Sequence, residues 1–148
     1  MTEPNMNLQD SQDRQDLRVI IIGAGMAGVL SAIKLREAGY DDFVIYEKAD
    51  SIGGTWRANT YPGLACDVPS HSYTYSFEPN PDWSSVFAEG PEIRSYFENV
   101  AKKYNVLERV RFGEEIIACE FLDGRWHIKT SSGREDQADF IIAATGVL

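Results

Sequence analysis

Three groups of residues have types and spacing suited to holding a dinucleotide. The first is Gly23-Ala24-Gly25-Met26-Ala27-Gly28, with the spacing G-x-G-x-x-G. Gly23 permits a tight turn, and Gly25 leaves no side chain between the backbone and a pyrophosphate. Gly28 lets a helix pack closely on a strand. By itself the pattern also fits a plain turn. The second is Glu47, nineteen residues after Gly28 and followed by Lys48. A carboxylate there can accept hydrogen bonds from both hydroxyls of an adenosine ribose and would repel a 2′-phosphate, which favours FAD or NAD over NADP. The alternative for Glu47 is a solvated surface carboxylate. The third is Gly53-Gly54-Thr55-Trp56. A glycine pair frees backbone N–H groups for phosphate oxygens, and the Thr55 hydroxyl adds a further donor. Its alternative is a turn with a core tryptophan.

These residues need elements that present them together. Residues 18–22 (RVIII) form a continuous β-branched run, which predicts a strand buried on both faces. Residues 26–38 read as a helix, with Val29, Ala32, Ile33 and Arg36 at helical spacing and Gly39 as the stop. Residues 43–46 (FVIY) predict a second strand, so the order is that of a right-handed parallel crossover. Residues 49–91 are rich in Gly, Pro, Ser, Asn and aromatics, and a loop of that length predicts turns wrapped around a ligand. A helix is predicted over 91–104, with Pro91 in its first turn and Ile93, Tyr96, Phe97 and Val100 as its apolar stripe. Residues 110–112, 116–122 and 126–130 predict strands, the last two joined through Asp123-Gly124, a strong hairpin signal. Residues 131–133 make another turn, and 140–144 (FIIAA) predict a last, buried strand. The fold expected is α/β: a Rossmann-like parallel sheet with the glycine loop at its switch point, plus a small antiparallel β-meander over 115–130.

The 148 residues suit one domain, with 43% hydrophobic and 25% charged residues. A formal net charge of −9 leaves no electrostatic footprint for nucleic acid or an anionic membrane. Cys66 and Cys119 form no Cys-x-x-Cys and have no histidines at ligand spacing, which argues against a metal site or disulfide scaffold. Residues 1–16 are polar and lack the cationic start and apolar run of a signal peptide, so they are read as a disordered lead-in. No targeting segment or membrane span is evident, and the cytoplasm is the expected location.

Residues 61–77, Tyr-Pro-Gly-Leu-Ala-Cys-Asp-Val-Pro-Ser-His-Ser-Tyr-Thr-Tyr-Ser-Phe, follow the Gly-Gly-x-Trp and run on through Glu-Pro-Asn-Pro-Asp-Trp-Ser at 78–84. This stretch resembles the corresponding segment of Baeyer–Villiger-type flavoprotein monooxygenases, and the resemblance extends from Arg18 to Gly146. It implies that residues 17–148 are an FAD-binding domain, incomplete, of an FAD- and NADPH-dependent enzyme. Such an enzyme inserts one oxygen atom from O2 into a ketone to give an ester or lactone. Some relatives carry arginine where this chain has Ala65.

By the same resemblance, Met26, Ala27, Lys48, Thr55, Trp56, Val68 and Tyr73 join Gly23, Gly25, Gly28, Glu47 and Gly54 around FAD. Ile116 matches the position whose backbone meets the adenine, and Thr145 and Gly146 bring the chain back past the cofactor. Asp67 corresponds to a catalytic aspartate that lies near the flavin and pairs with an arginine from a later part of the enzyme. Its alternative is an Asx-turn residue before Pro69. His71 reads as a polar loop histidine rather than a general base. Neither a second G-x-G-x-x-G for NADPH nor the family's F-x-G-x-x-x-H-x-x-x-W-P signature occurs here. The expectation is therefore a front portion whose remaining part binds NADPH. Two other readings stay open: part of a nitrogen- or sulfur-oxidising flavin monooxygenase or of another flavin reductase, and a non-catalytic nucleotide-binding module.

Overall fold

The computed structural model describes residues 17–146; the expected lead-in over 1–16 lies outside them. Two sheets are present. A parallel sheet is formed by β1 (Val19–Ile22), β2 (Phe43–Glu47), β3 (Val110–Phe112) and β7 (Phe140–Ala143), in the order β3-β2-β1-β7. An antiparallel sheet is formed by β4 (Ile116–Leu122), β5 (Arg125–Thr130) and β6 (Glu135–Ala138). The helices are α1 (Met26–Glu37), a single turn α2 (Thr55–Ala58), and α3 (Gly90–Lys103).

Strand β1 is central because its side chains are apolar on both faces. Val19 and Ile21 point into a core with Val29, Ala32 and Ile33 of α1 and Ile93, Phe97, Val100 and Ala101 of α3. Ile20, one residue out of phase, joins Val44, Tyr46, Ile128 and Ala138 in a second core, where the antiparallel sheet covers the opposite face. The parallel sheet is thus sandwiched between helices and meander. Strand order reverses at β1, between β2 and β7, which opens a crevice at the carboxyl ends of the strands.

A polar clasp fastens the meander. Arg18 donates to Asp136 at 2.8 and 3.2 Å and ion-pairs with Asp42, while the Tyr46 hydroxyl donates to Asp136 at 2.7 Å. Burial raises the Asp136 pKa, but the hydrogen bonds from Arg18 and Tyr46 outweigh it and hold the carboxylate below its usual range. Desolvation, then the bond to Asp136, pushes the Tyr46 phenol up to about 12.

Two expectations need correction. The meander does not end at residue 130: the 131–133 turn leads into a third strand, Glu135–Ala138, paired antiparallel with β5. Its sequence EDQA offers only Ala138 as an apolar inward residue, so the strand is held by pairing, by the Asp136 clasp and by the buried Ala138. The strand from Phe140 is also not buried. Phe140 is 56% exposed and Ala143 is exposed. β7 is an edge strand among the described residues, with only β1 beside it.

Candidate dinucleotide-binding site

The crevice at the end of β1 is a cleft of about 470 Å³. The three motifs meet there through one residue. The Ala24 N–H donates to Glu47 Oε2 at 2.7 Å, and the Ala24 carbonyl accepts the Gly53 N–H at 3.2 Å. The Gly23 N–H donates to the Tyr46 carbonyl at 2.8 Å. Glycine loop, strand end and glycine pair are therefore a single hydrogen-bonded unit. Ala24 is fully buried, and nothing about an alanine at an "x" of the motif announces this role.

The glycines divide into two kinds. A Cβ on Gly28 would collide with the Gly23 carbonyl oxygen, so Gly28 serves helix–strand packing. Gly25 and Gly54 face each other across the cleft floor: a Cβ on Gly25 would lie 3.5 Å from the Gly54 Cα, and one on Gly54 3.0 Å from the Gly25 Cα. Two bare backbone segments thus lie side by side, nearly in contact, and form a cradle floor free of side chains. Gly25 is the N-cap of α1 and has no side-chain capping bond, and the first turn carries no acidic residue. The amides at that end are open to an anion, and the helix dipole favours one.

The far end of the cleft is acidic. The Glu47 carboxylate is buried and accepts N–H groups from both Ala24 and Ala49. Glu114, Glu115 and Ile116 follow on the same wall, where the Glu114 N–H donates to the Glu47 carbonyl at 3.0 Å. Thr130, Ser132 and the Arg134 guanidinium hold the Glu114 carboxyl below the usual range. At the other end, Trp56 Nε1 donates to the Tyr73 hydroxyl at 3.1 Å. The Tyr75 hydroxyl donates to the Met26 carbonyl at 2.6 Å, tying the 61–77 segment to the glycine loop. Burial raises the Tyr75 pKa.

Of the residues singled out in sequence, Gly23, Gly25, Met26, Ala27, Glu47, Lys48, Gly54, Thr55, Trp56, Tyr73, Ile116, Thr145 and Gly146 line this cleft. Gly28, Asp67 and Val68 do not. Asp67 is exposed and accepts no hydrogen bond among the described residues. Val68 is 40% exposed. Arg57, Asn59, Glu114 and Glu115 also line the cleft and were not anticipated. For the glutamates the available signal was a carboxylate pair directly preceding Ile116. His71 is exposed and lies off the cleft. Cys66 is buried, Cys119 is exposed, and both are free thiols. Among the described residues no cluster of His, Cys, Asp and Glu could hold a metal ion, and no helix is long and apolar enough to cross a membrane.

Known proteins share this arrangement. Residues 21–89 match the family model of the NAD(P)-binding Rossmann-like domain. An uncharacterized monooxygenase of Mycobacterium tuberculosis is 53% identical over 130 residues, which is 88% of this chain and 26% of the relative. A Baeyer–Villiger monooxygenase of Streptomyces coelicolor is 44% identical over 142 residues, 95% of this chain and 27% of that one. A steroid monooxygenase solved with NADP superposes with a TM-score of 0.83 at 35% identity, covering 88% of this chain and 26% of that structure. The chain is a Rossmann-like unit similar to part of the Baeyer–Villiger monooxygenases. It spans about a quarter of the length of the curated relatives it matches.

Proposed function

We propose that the cleft binds FAD without a covalent link, and that the chain is the FAD-binding portion of an NADPH-dependent monooxygenase. That enzyme inserts one oxygen atom of O2 into a ketone to give an ester or lactone. The observation that carries the cofactor reading is the side-chain-free floor formed by Gly25 and Gly54, joined through Ala24 to the Glu47 carboxylate. A diphosphate fits where two backbones meet without side chains, and an adenosine ribose fits beside a buried carboxylate.

In this reading the chain's own groups bind, orient and shield. The amides of Gly25, Met26 and Ala27 and of the Gly54–Thr55 turn take the phosphate oxygens. Glu47, with Lys48 beside it, takes the ribose hydroxyls, and the backbone at Ile116 borders the adenine. Trp56 and Tyr73 wall the opposite end, Thr145 and Gly146 close the β7 side, and Gly23 and Gly28 keep strand and helix close. When bound, the flavin supplies the redox chemistry, accepting electrons from NADPH and delivering them to oxygen. The carboxylates at the ribose end disfavour the 2′-phosphate of NADPH, so NADPH binds in the remaining part of the enzyme, which also supplies a cationic partner for Asp67. Asp67 and Val68 then border the flavin in the complete protein. A cytoplasmic location belongs to the same reading.

The test is the visible absorption spectrum of the purified chain with and without added FAD. A flavin spectrum that stays with the protein on gel filtration, and moves to the supernatant after acid precipitation, is expected. A colourless chain that takes up NAD and not FAD would favour a non-catalytic nucleotide-binding module instead.

A further inference from the structure

Three buried side-chain nitrogens have no hydrogen-bond acceptor among the described residues: Arg57 Nε, Trp83 Nε1 and Arg125 Nε. Arg125 Nε still has a carboxylate oxygen of Asp139 at 3.3 Å, and Trp83 sits in the apolar core. Arg57 differs from both. Its side chain makes no hydrogen bond and no ion pair among the described residues, and it lines the dinucleotide cleft. A guanidinium N–H withdrawn from water with nothing to bond costs free energy that the free chain recovers nowhere.

The stem of Arg57 is held in place. A Cβ on Gly53 would lie 3.1 Å from the Arg57 Cβ and 3.5 Å from the Arg94 Cγ, so the bare Gly53 makes room for the arginine. The Arg57 N–H donates to the Gly54 carbonyl at 3.1 Å. Arg57 is thus fastened to the same turn whose Gly54 faces Gly25. Of the carboxylates that line the cleft, Glu47 accepts two backbone N–H groups, Glu114 accepts from Ser132 and Arg134, and Glu115 makes no ion pair with Arg57.

We infer that Arg57 is an anion-holding residue of this cleft, whose guanidinium hydrogen-bonds a phosphate oxygen of a diphosphate lying over the adjoining backbones of Gly25 and Gly54. The inference rests on the dinucleotide reading above. A guanidinium offers a planar fork of donors that matches phosphate, and it stays charged at every physiological pH. The Arg57 side chain, which makes no hydrogen bond or ion pair among the described residues, is then available to the phosphate.

The experiment compares the parent chain with Arg57→Met and Arg57→Lys. Affinities are measured for FAD, for ADP, and for riboflavin, which carries no phosphate. Thermal unfolding of each ligand-free chain is recorded alongside. Arg57→Met is expected to weaken FAD and ADP about ten- to hundredfold, the scale of one charged hydrogen bond, with riboflavin unchanged. Arg57→Lys should recover part of the loss, because it restores charge without the fork. The ligand-free Arg57→Met chain should melt at the same temperature or higher, since an unsatisfied buried donor has gone. FAD and ADP affinities equal to those of the parent would overturn the inference, as would an equal loss for riboflavin. A lowered melting temperature or failure to fold would assign Arg57 to the fold and overturn it too. A parent chain that binds neither FAD nor ADP would instead remove the dinucleotide reading itself.

Discussion

The Glu47 carboxylate and the Ala24 backbone N–H meet at 2.7 Å, with both residues buried. The second carboxylate oxygen accepts the Ala49 N–H at 2.9 Å. One side chain thus ties the end of β2 to the glycine turn that follows β1. Glu47→Arg is therefore expected to act twice. FAD binding should weaken by about 1–3 kcal/mol, the scale of a lost charged hydrogen bond. The ligand-free chain should also lose stability, because buried amides lose their acceptor. A flavin fluorescence titration and a denaturant melt separate the two effects. An unchanged dissociation constant would take Glu47 out of the site.

Gly25 and Gly28 should respond differently to the same change. Gly28→Ala drives a methyl group into the Gly23 carbonyl oxygen and is expected to destabilise by about 3 kcal/mol, the upper range for overpacking. Gly25 has an extended backbone that alanine also adopts, with φ −78° and ψ −168°. Its added methyl would meet only ordinary contact at 3.5 Å. Gly25→Ala should fold with near-parental stability and lose FAD affinity, because the methyl occupies the cradle. Equal FAD affinity in a folded Gly25→Ala chain would mean that phosphate does not approach there.

Stability should fall at both ends of the pH scale through the Arg18–Asp136–Tyr46 clasp. Asp136 titrates below its usual range. Its contribution is present above an unfolded pKa of about 3.9 and is lost as the pH falls through the lower folded value. Tyr46 is raised to about 12. Its contribution is complete below an unfolded pKa of about 10 and is lost as the pH rises to the folded value. Asp136→Asn should lower stability at neutral pH and flatten the acid limb, and Tyr46→Phe should flatten the alkaline limb. Denaturant midpoints measured across pH would show it. Parallel profiles for parent and variants would exclude the clasp as their source.

Asp67 is exposed in this chain. Asp67→Ala should leave stability within about 0.5 kcal/mol, as for other surface positions without a partner, and leave FAD affinity unchanged. In a full-length enzyme the same substitution should spare FAD binding while diverting NADPH consumption from ester to hydrogen peroxide. Product ratios decide it. Unimpaired ester formation would falsify a catalytic role and leave Asp67 as a turn residue.

Much of this protein was readable from local pattern. The β-branched run before Gly23, the helical spacing after Gly25, the carboxylate at Glu47 and the Asp123-Gly124 turn each encode their conformation within a few residues. Steric and periodic rules act at that range. The observed elements β1, α1, β2, α3, β4 and β5 follow from them. Non-local contacts decided the rest. Glu135–Ala138 has one apolar inward residue, Ala138, and is a strand because β5, the Arg18 clasp and the core around Ala138 hold it. Phe140–Ala143 reads as a core strand, yet its exposure depends on what stands beside it in the sheet. Sequence spacing brought Gly25, Glu47 and Gly54 under one hypothesis. Only the fold made Ala24 the joint between them and placed the Arg57 guanidinium on the same cleft without a partner among the described residues. Hydrogen bonding and desolvation depend on which groups meet in space, and linear spacing does not record that.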